Sequence, residues 1–136
     1  MALNEIERED LVKYRLDKAY ETLDEVSVHI GNKFYRTAAN RLYYACFYAA
    51  TALLISDGYE THTHHGVKTL LGLHYIKEKK IDDSLGNVFR KLFDLRQTGD
   101  YDDWIDIDED DVRPLVEPAE KFIEEMKKLI NLKPNQ

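Results

Sequence analysis

One cysteine, three prolines and six glycines in 136 residues leave little material for a disulfide scaffold, a proline-rich linker or a loop-dominated fold. A lone cysteine cannot close an internal disulfide. Cys46 lies among apolar residues of a predicted helix, where a small buried hydrophobe is expected rather than a nucleophile. Long hydrophobic runs are missing too. The longest uncharged run, Leu42 to Ser56, has 15 residues, short of the ~20 a membrane helix needs. The first ten residues are acidic rather than basic and then apolar, so a secretory signal is not expected and a cytoplasmic protein is.

A broad basic face is the next absence. The net charge is −7, and eight acidic residues with no basic one fall between Asp100 and Asp111, which leaves the remainder of the chain at +1. Duplex DNA binding through counterion release has no footprint here, whereas a local site for RNA or a nucleotide is compatible with this charge. Charged residues make up 33% of the chain, which with the scarcity of glycine and proline predicts a compact helical protein rather than a disordered one. The length suits a single domain over residues 1–136.

What the chain has in quantity is 3/4-spaced apolar residues. Val12, Leu16, Ala19, Leu23, Val26 and Ile30 form a seam on a first helix from the N-cap Asn4 to about His29, with Gly31-Asn32 supplying its left-handed end. A second helix is predicted from about Lys33 to Ser56, closing at Asp57-Gly58. Phe34, Ala38, Arg41, Ala45, Ala49 and Ala52 make one of its stripes, and Tyr44, Phe47 and Tyr48 lie on its flanks. A helix apolar nearly all round belongs at the centre of a bundle. A shorter helix carries Val67, Leu70, Leu71 and His74. A fourth runs from Asp82 or Asp83 to Thr98, with Gly99 favouring its end. The last is capped by Asp108 and carries Val112, Ala119, Phe122, Ile123 and Met126; Pro114 and Pro118 predict kinked first turns or a regular start nearer Arg113. No strand or repeat is evident. The expected architecture is all-α, an antiparallel four-helix up-and-down bundle with one additional short helix.

Chemistry is suggested at one place, Arg96-Gln97-Thr98-Gly99-Asp100-Tyr101. Phe89, Phe93, Arg96 and Asp100 share one helical face, so an apolar stripe runs into an arginine and a carboxylate. Such charges are normally paired or used. Arg96 and Asp100 are i and i+4, close enough to pair if the helix continues through Gly99, and Arg41 on its small apolar stripe also needs a carboxylate, for which Asp100 is a candidate. A purely structural pairing and a binding role can coexist.

Asn40-Arg41-Leu42-Tyr43-Tyr44-Ala45-Cys46-Phe47-Tyr48, His65-Gly66-Val67 and the Arg96-to-Tyr101 segment together resemble the HEPN domain family of small all-helical prokaryotic proteins. The resemblance spans about residues 35 to 125. It implies a helical bundle, usually a homodimer in which the arginine segments of two protomers meet across a cleft, commonly accompanied by a minimal nucleotidyltransferase and targeting RNA. Ribonuclease members carry Arg, then four to six residues, then His. An arginine there can hold the scissile phosphate, and a histidine can move a proton at the ribose or the leaving oxygen. In this chain Arg96 occupies the arginine position and Gln97 the polar position after it, with Tyr101 where histidine is expected. Unperturbed tyrosine titrates near ~10, which makes it a poor base at neutrality but a competent donor to phosphate. The candidate catalytic residues are therefore Arg96, Gln97 and Tyr101, with Asp100, Arg41, Asn40, Tyr44 and His65 as binding residues.

His62, His64 and His65 lack the spacing of a metal site, and capping or surface polarity is the simpler reading. No metal or cofactor is expected. Tyr43, Tyr44 and Tyr48 read most simply as core residues with hydroxyls reaching polar partners. The acidic loop, with Tyr101 and Trp104 in it, reads as a solvated segment and helix cap, or as a docking strip for a basic partner. Two functional classes follow: an RNA-targeting, toxin-like component of a toxin–antitoxin or defence module, acting with a nucleotidyltransferase; or a noncatalytic nucleotide- or protein-binding dimerisation module.

Overall fold

The computed structural model describes residues 3–61, 63–101 and 106–132, with backbone alone for residues 99–101. Along these the chain folds as α1 (Glu5–Gly31), α2 (Tyr35–Ser56), α3 (His64–Leu71, continued by a π-helical turn over Gly72–Ile76), α4 (Asp83–Tyr101) and α5 (Glu109–Asn131). This is the expected all-α bundle of four long helices and one short one.

The central element is α2, which packs against α1, α5, α4 and α3. Its small face makes this possible. Ala38, Ala45, Ala49 and Ala52 are fully buried, so neighbouring backbones approach closely while Leu42, Tyr43, Leu53 and Leu54 fill the remaining volume. Phe89, Leu92 and Phe93 from α4 and Val112, Ala119, Phe122, Ile123 and Met126 from α5 complete one continuous core. Cys46 is inside it, its Sγ 3.8 Å from the carbonyl oxygen of Ala119. Burial pushes its thiol far above the ordinary range, so it is an inert packing residue.

Capping follows the sequence at both predicted N-termini. Asn4 accepts from the Glu7 amide at 2.8 Å while the Glu7 carboxylate accepts from the Asn4 amide at 3.1 Å. Asp108 and Asp111 repeat this reciprocal arrangement at the start of α5. Gly58 adopts φ +87 after α2, and the Tyr59 and Gly58 amides donate to the Leu54 and Ile55 carbonyls, closing that helix in a Schellman motif.

Three boundaries differ from the sequence reading. After α1 the left-handed residue is Lys33, φ 62, rather than Gly31 or Asn32, because the paired bonds from Phe34 to His29 and from Lys33 to Ile30 place the turn one residue later. In α4, Gly99 does not terminate the helix, which continues to Tyr101. A mid-helix glycine costs only ~1 kcal/mol, less than tertiary packing supplies. In α5, helix begins directly after the Asp108 cap and includes Pro114 and Pro118. Each proline removes one ladder hydrogen bond, but the capping box and the buried Val112 and Ala119 hold the first turns in place.

Lys33 is exposed and strained by its left-handed conformation, which glycine adopts at no steric cost. Lys33→Gly is expected to raise unfolding stability by about 0.5–1 kcal/mol. Urea denaturation with an unchanged m-value checks this; a loss of stability would contradict the turn geometry.

Candidate functional site

The first half of α2 presents adjacent tyrosines whose different placements organise the site. Tyr43 is fully buried and Tyr44, one residue on, is half-buried at the edge of the core. Their rings meet edge-to-face with centroids 5.3 Å apart. Arg96, near the end of α4, lays its guanidinium against both, its Cζ 5.8 Å from the Tyr43 centroid and 5.5 Å from that of Tyr44. Its Nη2 also donates to the Tyr44 hydroxyl at 3.2 Å. Because that oxygen accepts from arginine, its own proton is turned to other acceptors.

A second cation completes the patch. Arg41, three residues before Tyr44 on the same face of α2, has its Cζ 5.2 Å from the Tyr44 centroid. Asn40 fixes its orientation, the Oδ1 accepting from Arg41 Nε at 3.2 Å and Nη2 at 3.0 Å. The carboxylate near Arg41 is Glu25 of α1, 3.9 Å from Nη1 and half exposed. Tyr44 is thus the shared aromatic contact of two guanidiniums. In a chain of net charge −7, this is a local concentration of positive potential.

The fourth participant is His64, the first residue of α3. Its Nδ1 lies 2.8 Å from the hydroxyl of Tyr43, and its ring packs on Phe47 at 4.5 Å between centroids. Burial, then the charge of Arg96, then that of His65 push its pKa below the ordinary histidine value. Burial pushes the Tyr43 phenol well above its ordinary range, against the opposing effect of Arg96. The buried phenol therefore keeps its proton, the imidazole stays neutral, and the hydrogen bond between the Tyr43 hydroxyl and Nδ1 leaves Nε2 as the ring nitrogen not engaged with Tyr43. The connection before α3 fixes this placement. Thr63 caps the helix by accepting from the Gly66 amide at 2.8 Å. A Cβ on Gly66 would collide with Thr61 Oγ1 and come within 2.8 Å of Thr63 Oγ1, so only glycine permits the tight return.

Of the residues singled out from sequence, Arg96, Tyr44, Arg41 and Asn40 come together. Gln97 is exposed beside Arg96. His65 is exposed and turned to Phe93, 5.1 Å between centroids, so the histidine that reaches the cluster is its neighbour. The side chains of Asp100 and Tyr101 lie outside the described residues, as do His62 and Trp104, so the Asp100 pairings considered above fall there too. His64 was missed as a site residue. Its signal was present: with Val67 and Leu71 it follows 3-4 spacing, and those two are the buried face of α3. Among the described residues no group of three or more His, Cys, Asp or Glu could hold a metal ion, and no helix is long and apolar enough to cross a membrane.

The titration of His64 reports the arrangement. Because its folded-state pKa is depressed, the unfolded chain binds more protons below the ordinary value near ~6.5, so this residue's contribution to stability is lost as pH falls into that window. In an NMR titration the His64 ring is expected to titrate below ~6.5 and to move upward in Arg96→Ala. An unshifted His64, unaffected by that change, would contradict the geometry.

Residues 12–129 match the HEPN domain family. A UPF0332 protein of Thermotoga maritima is 33% identical over 124 residues, covering 91% of this chain and 94% of that protein. The Methanocaldococcus jannaschii protein named "Putative toxin MJ0605" is 31% identical over 128 residues, 94% of each chain. A UPF0332 protein of Archaeoglobus fulgidus is 26% identical over 122 residues, 90% of this chain and 97% of that one. With a family match that takes in the α2 tyrosines, His64 and Arg96 together, the chain belongs to the HEPN domain family.

Proposed function

We propose that this protein is the RNA-targeting, toxin-like member of a toxin–antitoxin or defence module, acting in the cytoplasm with a minimal nucleotidyltransferase as its partner. The observation that carries this reading is the guanidinium of Arg96, held against two tyrosine rings and hydrogen-bonded to one of them. A cation oriented in this way has already lost much of its side-chain freedom, so a phosphodiester meets a preorganised donor. The family membership and the toxin-named relative support the same direction.

In this reading Arg96 binds the RNA phosphate. Tyr44 adds its phenolic proton, and Arg41, steered by Asn40, supplies a second positive charge. Gln97 is the exposed polar neighbour, and Tyr101 and Asp100 complete the segment at the end of α4. The functional unit is a homodimer, with the arginine segments of two copies facing one cleft. His65 lies at the rim of that cleft.

A second reading, noncatalytic nucleotide binding, is favoured by the placement of His64. Its Nδ1 is engaged by the Tyr43 hydroxyl, which holds the ring against the aromatic cluster. A ring anchored in this way suits holding a ligand in place.

Expression without a partner distinguishes the two. The wild-type chain is expected to inhibit growth and to bind single-stranded RNA. Arg96→Ala should relieve the inhibition and weaken RNA binding about 10- to 100-fold, the range for loss of a charge-assisted contact, while its circular dichroism stays helical. Wild-type protein that neither inhibits growth nor binds RNA, with or without a nucleotidyltransferase, would refute the first reading. Saturable nucleotide binding without RNA cleavage, lost in Arg96→Ala, would select the second.

A further inference from the structure

Beside the arginine cluster, and sharing Tyr44 and His64 with it, lies a cleft of about 350 Å³. Arg15 of α1, Tyr44, Phe47 and Tyr48 of α2, Tyr59 of the following connection and His64 line it. We propose that this cleft is a subsite for one nucleobase of a single-stranded RNA whose phosphate is held by Arg96. The inference rests on the RNA-targeting reading and adds to it the moiety recognised next to the phosphate.

Three observations converge on a planar heteroaromatic occupant. Tyr44, Phe47, Tyr48 and Tyr59 give the cleft aromatic walls beside Thr51, Leu54 and Ile55, and aromatic faces and edges stack on bases without demanding a particular sequence. The Tyr48 ring is backed by the Arg15 guanidinium, with Cζ 5.9 Å from the centroid. Second, Arg15 lines the cleft and its guanidinium carries N–H donors. The ring nitrogens and carbonyl oxygens of a base are acceptors of the right kind. An aliphatic ligand offers no such acceptor.

The third observation is continuity. Tyr44 and His64 line the cleft and also belong to the Arg96 cluster, Tyr44 through its hydroxyl and His64 through Tyr43. A phosphate at Arg96 and a ring in the cleft would therefore both contact Tyr44, the proximity a nucleotide requires of its charged and its planar parts. Thr61, Tyr48 and Tyr59 add hydroxyls to the lining, and Arg15 adds its guanidinium.

The test compares a labelled single-stranded RNA of about six nucleotides with the same ribose-phosphate backbone carrying abasic sites, by fluorescence anisotropy. Wild-type protein is expected to prefer the base-bearing strand by about fivefold or more, the lower range for one stacked base. Tyr48→Leu and Arg15→Met should each remove that preference while leaving affinity for the abasic strand unchanged. Arg96→Ala should weaken both strands. Thermal melting confirms that each variant is folded, and Arg15→Met, which keeps the aliphatic stem, serves alone if Tyr48→Leu is unstable. Equal affinity of the wild type for the two strands, or full preference retained in a folded Arg15→Met protein, would overturn the nucleobase subsite and leave the RNA reading standing. Failure of the wild type to bind either strand would instead remove the RNA reading and this subsite with it.

Discussion

The contact between the Arg96 guanidinium and the rings of Tyr43 and Tyr44 ties the bundle to its chemistry. A long, flexible, charged side chain at the end of a helix would ordinarily extend into water and sample many rotamers. Here α2 offers it two aromatic faces and a hydroxyl acceptor. Cation–π contacts of this kind contribute ~0.5–2 kcal/mol each, depending on desolvation, and that is enough to hold a guanidinium in place. The alanine face of α2 makes it possible, because a helix that packs closely through small residues can turn its aromatic flank toward α3 and α4 at one end of the bundle.

Electrostatics sharpens the role of this patch. The chain is strongly acidic, yet Arg41 and Arg96 both lie against Tyr44, and the charge of Arg96 adds to burial in holding the His64 pKa down. A focused positive site on a negative molecule suits a small number of phosphate contacts rather than a long electrostatic footprint. On the proposed RNA-binding role, the expected salt dependence is shallow compared with that of a protein tracking many phosphates. The buried Tyr43 has a second function beyond packing. Its phenol keeps its proton, and its hydrogen bond to Nδ1 fixes the orientation of the His64 ring.

Much of the architecture was legible in the sequence, for physical reasons that differ by element. The seams of α1 and α5 repeat every three and four residues, and the Asn4 and Asp108 caps carry both halves of a capping box. Local chemistry decides such features. Positions at which tertiary packing overrides local preference were less legible: Gly99 stays helical, Pro114 and Pro118 sit inside α5, and Lys33 takes the left-handed turn. At the site, the spacing of Phe89, Phe93 and Arg96 correctly marked an arginine on an apolar face. Which of two adjacent histidines turns inward depends on the rotation of α3, and the buried pair Val67 and Leu71 selects His64 over His65. Arg15 belongs to no motif in the sequence of α1 and became visible only when α1 was packed against Tyr48.

The central claim is that one guanidinium, immobilised on two tyrosines, is what this protein offers to a phosphodiester. Observing the Arg96 side-chain nitrogens by ¹⁵N NMR, free and during titration with a short single-stranded RNA, tests it most directly. A resolved, slowly exchanging Arg96 signal in the free protein that shifts along with His64 as RNA is added is the predicted result. An Arg96 signal averaged by free rotation and unmoved by RNA, while resonances elsewhere on the bundle respond, would contradict it.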